Sequence, residues 1–249
     1  PQVTIVGDTM TINPSLDLTK LKNFSVRIDR GAVISVLQTL SVGSTLLTQD
    51  FELLSLKPAV LEQVGVTPSG MDFSATPPEG WSVNNSQMAK GGAPEWTGWT
   101  FADKSFWQTQ GGQNRANFTR GTGTIAVADT DEWQDYAREN DNFNSGVSTV
   151  SIDLDSVQPN TVVLEFDSSF RPESGASFVD HVPTNMQGLL DVSYDSGATW
   201  TNLLKLDTSN TLGSATAPNV NERRVVNVPN PDTGSMKFRF INTGTNDWW

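Results

Sequence analysis

The sequence predicts an all-β chain, a jelly-roll β-sandwich preceded by a short β segment, on three observations. Short runs alternating apolar and polar residues recur along the whole length, each bounded by Gly, Pro, Asn or Asp, which is the period-2 pattern of half-buried strands. Helical periodicity is scarce. From position 46 onward, roughly 200 residues suit a double-sheet sandwich of eight or more strands with long loops between them.

Taken in order, the strand-like runs are "VTIVG", "FSVRI", "GTIAVA", "STVSIDL", "TVVLEFDSSF", "LLDVSYD", "RRVVNVP" and "MKFRFI". One stretch has helical character: in "DEWQDYARE", Trp133, Tyr136 and Ala137 fall at i, i+3 and i+4 after an Asp suited to capping. It predicts one or two turns inside a long loop. A boundary is expected in the small, polar stretch "QTLSVGSTLLTQD", dividing the chain into residues 1–45 and 46–249. The first piece is below the size at which a β unit usually folds without staples, so it is expected to need a partner.

Composition narrows the function. With 36% hydrophobic and 18% charged residues, the chain has enough apolar material for a core. A net charge of −12 repels nucleic acid at long range and favours cations as partners. Without cysteine there is no disulfide framework, thiolate metal site or thiol nucleophile. No run approaches the roughly 18 apolar residues of a membrane span. The start "PQVTIVGDTM" has neither a basic nor an apolar leader region, so any signal peptide is expected to have been removed. With Pro first and "NDWW" last, both ends are expected to be cut.

The acid run "ADTDEWQD" is the strongest chemical signal. Ca²⁺ takes six to eight oxygens, and alternating Asp in an irregular loop presents several from one segment. Asp129, Asp131 and Asp135 are the candidate ligands, joined by Glu52 and Asp247 if the first and last strands pair. The spacing is not that of an EF-hand. A solvated acidic loop is the alternative.

Trp81, Trp96, Trp99 and Trp107 crowd one region. Exposed, Trp96, Trp99 and Trp107 would stack on sugar rings; buried, they fill a sandwich core, the reading favoured here. If "WTGWTF" is extended, Trp96 and Trp99 point to opposite faces. His181 has no second histidine and no nucleophile elbow, so it reads as a loop histidine. "GGQNRANF" lacks the Lys-Ser/Thr of a phosphate loop and reads as a turn.

"SYDSGATW" matches the Asp-box pattern, a tight hairpin. Ser193 opens it, Asp195 caps turn amides, Gly197 takes a conformation other residues resist, and Trp200 packs beneath. A propeller would repeat it four to eight times; here it occurs once. It reads as structural.

The ordered segments "DFELLSL", "TPPEGWSV", "EWTGWTFADKSFW", "GGQNRANFT", "GTGTIAVADTDEW", "VSYDSGATWTNLL" and "FRFINTGTNDWW" together resemble a jelly-roll module of secreted bacterial multidomain proteins that also carry a metallophosphoesterase domain. The module is similar to MAM-type and carbohydrate-binding jelly rolls. "MTINPSLDLTKLKNFSVRIDRGAV" resembles the last strands of a bacterial Ig-like domain. The resemblance implies secretion and a structural Ca²⁺. The family's phosphatase activity needs a dinuclear site with several His, and His181 is the chain's one histidine, so that activity is not expected here.

The leading expectation is therefore a non-catalytic, Ca²⁺-stabilised extracellular module that attaches to carbohydrate or another cell-surface polymer. The alternative is a self-assembling subunit of an extracellular filament or surface layer, its copies joined through open β edges. A hydrolase, phosphatase or sialidase, ranks third because no coherent catalytic constellation is visible.

Overall fold

The computed structural model describes residues 2–6, 9–13, 44–60, 70–111, 113–172, 186–206, 218–231 and 234–244. The chain divides into two compact units, Pro1–Thr45 and Leu46–Trp249. In the first, β1 (Gln2–Val6) pairs antiparallel with β2 (Thr9–Asn13), Gln2 facing Asn13 and Val6 facing Thr9. The predicted strand "FSVRI" and most of the Ig-like resemblance lie outside the described residues.

The second unit is an all-β sandwich with two one-turn helices among its described residues. Its strands are β3 (Phe73–Ser74), β4 (Ser82–Asn84), β5 (Thr100–Asp103), β6 (Thr124–Val127), β7 (Phe143–Ser148), β8 (Ile152–Asp153), β9 (Val162–Ser168), β10 (Gln187–Ser193), β11 (Thr201–Leu206), β12 (Glu222–Val228) and β13 (Ser235–Gly244). The helices are α1 (Lys104–Gln108) and α2 (Thr130–Gln134). The largest sheet runs β11-β10-β13-β7-β4, with β8 also on β13, and every pairing in it is antiparallel.

Alternation explains which face is buried. Along β13, Met236 and Phe238 point inward while Lys237 and Arg239 point outward; along β10, Leu190 and Val192 point inward. Two smaller sheets cover that inner face, β9-β12 and β3-β5-β6. Under β9-β12 the core is Ile152, Leu154, Val162, Leu190, Val192, Val228, Met236 and Phe238. Each such side chain, fully buried, contributes about 1.5–3 kcal/mol.

Under β3-β5-β6 the core is aromatic: Phe73, Trp96, Phe106, Trp107, Phe118, Trp133 and Phe143. Trp96 stacks on Phe106 with centroids 5.7 Å apart, and Trp133 meets Phe143 edge to face at 5.5 Å. Rings of this size fill the space between a short sheet and two one-turn helices, where aliphatic side chains would leave voids.

Candidate functional site

The acid run falls where β6 ends and α2 begins. Asp129 stands at the N-cap of α2, its Oδ1 accepting from the Glu132 backbone N–H at 3.2 Å. The same carboxylate is gripped by Arg115, from a one-turn 3-10 segment Arg115–Asn117: Nε donates to Oδ2 at 2.9 Å and Nη2 to Oδ1 at 3.1 Å. Trp107, from α1, donates its indole N–H to Oδ2 at 2.7 Å. Arg115 and Asp129 are each 0% exposed.

Arg115 collects the other acids as well. Its Nη2 stands 2.8 Å from Asp131 Oδ2 and 2.8 Å from Glu132 Oε1, and its Nη1 donates to the Gln110 carbonyl at 2.7 Å. The close approach requires Gly111: with φ at +48°, a Cβ there would sit 2.4 Å from Glu132 Oε1. A second guanidinium is nearby. Arg171, also buried, donates through Nη1 to the Gln113 carbonyl at 2.6 Å, and the Gln113 side-chain amide faces Asp131 Oδ1 at 3.5 Å.

Three carboxylates and two guanidiniums share this pocket, and its electrostatics follow. Burial works against the Arg115 charge, but Asp129, Glu132 and Asp131 outweigh it and hold its pKa above the ordinary range. Burial, and then the neighbouring Arg115 charge, bring Arg171 down to about 10. Asp131 is pushed up to about 7, chiefly by burial and then by Asp129, against the pull of Arg115.

The expected Ca²⁺ ligands do not converge. Asp129 and Asp131 meet, but on Arg115. Asp135 closes the C-terminal end of α2 and adds its charge to the field at Asp131. Glu52 is at the other end of β6, accepting from the Thr124 backbone N–H at 3.0 Å, about 16 Å of extended chain from Asp129. Asp247 and His181 lie outside the described residues. Among the described residues, no group of three or more acids or histidines is arranged to hold a metal ion. The Asp129 and Asp131 oxygens that the spacing offered to a cation are turned toward the Arg115 guanidinium instead.

The sugar-stacking reading of the tryptophans is also corrected. Trp96 and Trp107 are 2% exposed core residues. Trp99 is half-buried, its backbone N–H donating to Ser145 Oγ at 2.9 Å and its indole N–H to the Ser145 carbonyl at 3.2 Å. The expected alternation fails because the segment is not extended: Pro94–Trp96 is a 3-10 turn and Gly98 has φ +78°. Trp96 and Trp99 consequently pack against one core.

No family model, curated protein or solved structure matches this chain.

At the Asp-box, Asp195 accepts from the Thr199 backbone N–H at 2.8 Å and from its hydroxyl at 2.6 Å. Ser193 Oγ donates to Asp195 Oδ1 at 2.7 Å and accepts from the Gly197 N–H at 2.8 Å. Gly197 has φ +96°, and a Cβ there would come within 3.2 Å of Trp200. These bonds, Thr199 first, draw Asp195 down to about 2. The Ser193, Asp195 and Thr199 side chains serve the turn, while the Tyr194 hydroxyl donates to the Pro229 carbonyl at 2.6 Å.

Sequence reasoning missed Arg115, which sits in the stretch read only as a turn. The available signal was charge balance: an acid run beside an aromatic-rich stretch needs a cation, and Arg115 is one of the arginines near both in sequence.

Proposed function

We propose that this chain is a non-catalytic attachment module of a secreted bacterial protein, binding a carbohydrate or other cell-surface polymer. The carrying observation is that its densest chemistry is sealed: Arg115, Asp129 and Glu132 are each 0% exposed. Groups that would act as acid, base or metal ligand face one another rather than a substrate. The secreted, bacterial assignment rests on the order of the sequence segments described above.

With Trp96 and Trp107 in the core, attachment falls to the outward face of the large sheet. Asn84, Asn144, Ser148, Asn202 and Lys237 are partly or fully exposed there. Hydrogen-bonding side chains across adjacent strands match a hydroxyl-rich polymer better than an apolar one. Pull-down on insoluble polysaccharides and a glycan array test this. The expected result is retention that Asn144→Ala with Lys237→Ala removes without changing Tm; no binding to any polymer overturns it. Turnover of p-nitrophenyl phosphate or a sialoside would overturn the non-catalytic reading.

Self-assembly is the second reading. Its support is that the largest sheet ends at β11 and β4 among the described residues, and a strand edge templates pairing with another chain. Light scattering at rising concentration separates the two, since a strictly monomeric species counts against assembly.

A further inference from the structure

We infer that Arg115 is the built-in cation of the acid loop, filling an oxygen-lined pocket of the kind that would otherwise take a divalent metal ion. The pocket is defined by its oxygens: both from Asp129, one each from Asp131 and Glu132, and the Gln110 carbonyl, all 2.7–3.1 Å from guanidinium nitrogens. Hard, mostly anionic oxygens from one loop and one neighbouring carbonyl are what Ca²⁺ or a lanthanide takes.

Two things exclude an added metal while Arg115 is in place. The first is electrostatic: a divalent ion on Asp129 would stand within about 4 Å of a guanidinium, a repulsion strengthened by burial. The second is saturation, because both Asp129 oxygens already accept hydrogen bonds from Arg115 or Trp107. The loop is thus closed by an internal fork whose planar geometry matches the Asp129 carboxylate bidentately. Any Ca²⁺ the protein takes binds elsewhere.

Trp107 supplies the probe, because its indole N–H touches Asp129 and would sensitise Tb³⁺ bound there. Wild type and Asp131→Asn are titrated with Tb³⁺, with tryptophan excited and terbium emission read. In wild type we expect either no sensitised emission or emission that Asp131→Asn leaves unchanged, which places the ion at another site. Wild-type emission weakened tenfold or more in affinity by Asp131→Asn overturns the inference.

Arg115→Ala then empties the pocket. The folded variant should gain Tb³⁺ emission and a Tm that rises with millimolar Ca²⁺ or guanidinium, neither of which the parent should show at this site. A folded Arg115→Ala protein that responds to none of these ions overturns the inference. If the variant does not fold, the wild-type comparison decides alone.

Discussion

Trp107 and Asp129, 22 residues apart in sequence, meet in the core through an indole N–H donated to Oδ2 at 2.7 Å. The bond ties α1 to the N-cap of α2, and both partners are buried, so water cannot replace it. Trp107→Phe keeps most of the ring volume and leaves one oxygen of a buried charge short of a donor. It should cost about 1.5–3 kcal/mol, since hydrogen bonds to charged groups are worth that much. Urea unfolding checks this through a lower midpoint at unchanged slope.

Removing a charge partner should cost more than removing the indole. Asp129→Ala removes the bidentate partner of Arg115, leaving the guanidinium to Asp131, Glu132 and the Gln110 carbonyl, and loses the cap of α2, for about 3–5 kcal/mol from two charged hydrogen bonds and a cap. Asp129→Asn, which keeps an acceptor for Trp107, should fall between Trp107→Phe and Asp129→Ala. The same denaturation series orders the three.

Asp131 sets the pH dependence. Its carboxyl rises from 3.8 to about 7 on folding, so it contributes stability that is fully present below the unfolded value and is lost as pH climbs through 7. Burial, with the Asp129 charge beside it, disfavours the Asp131 anion. Between pH 8 and pH 5, wild type should gain on the order of 2 kcal/mol relative to Asp131→Asn, after discounting for partial exposure. Tm against pH for the two proteins checks it; parallel curves refute it.

The Asp-box carboxylate has the opposite sign. Asp195 falls from 3.8 to about 2, so its stabilisation is present above the unfolded value and is lost as pH drops from 4 through 2. Asp195→Asn should lower Tm at pH 7 and converge with wild type near pH 2. The hairpin links to the sheet through Arg239, whose guanidinium lies 4.3 Å from the Trp200 centroid and donates to Asp191 at 2.6 Å. Arg239→Lys, which lacks the stacking plane and fork, should therefore lower Tm as well.

Gly111 tests the packing of the site itself. Gly111→Ala drives a methyl into the pinned Glu132 carboxylate and should cost about 2–4 kcal/mol. Gly234→Ala is the control: its φ is +90° but nothing lies within 4 Å of the added carbon, so only backbone strain is paid, about 1 kcal/mol. Equal losses at the two positions would refute the steric account.

Much of the scaffold was legible because its signals are local. Alternation in "TVVLEFDSSF", "LLDVSYD", "RRVVNVP" and "MKFRFI" anticipates β9, β10, β12 and β13, whose side-chain period needs only neighbouring residues. The turn in "DEWQDYARE" appears as α2, shorter than the apolar spacing suggested because Tyr136 and Ala137 fall beyond its end. α1 gave no periodic signal, being five residues long and held by the Asp103 cap and by packing of Phe106 and Trp107. The least legible feature was the acid run. Their spacing allowed Ca²⁺, solvent or an ion pair, and spacing cannot distinguish these.

The sequence alone determines the all-β class, most of the strands, the Asp-box turn and the lack of thiol chemistry, because period, turn residues and composition act within a few positions. Only the tertiary structure decides that Arg115 meets Asp129 and that Trp96 and Trp107 are core. Those outcomes depend on which loops the sheets bring together. In a low-dielectric interior, an acid without a nearby counter-charge is too costly to bury.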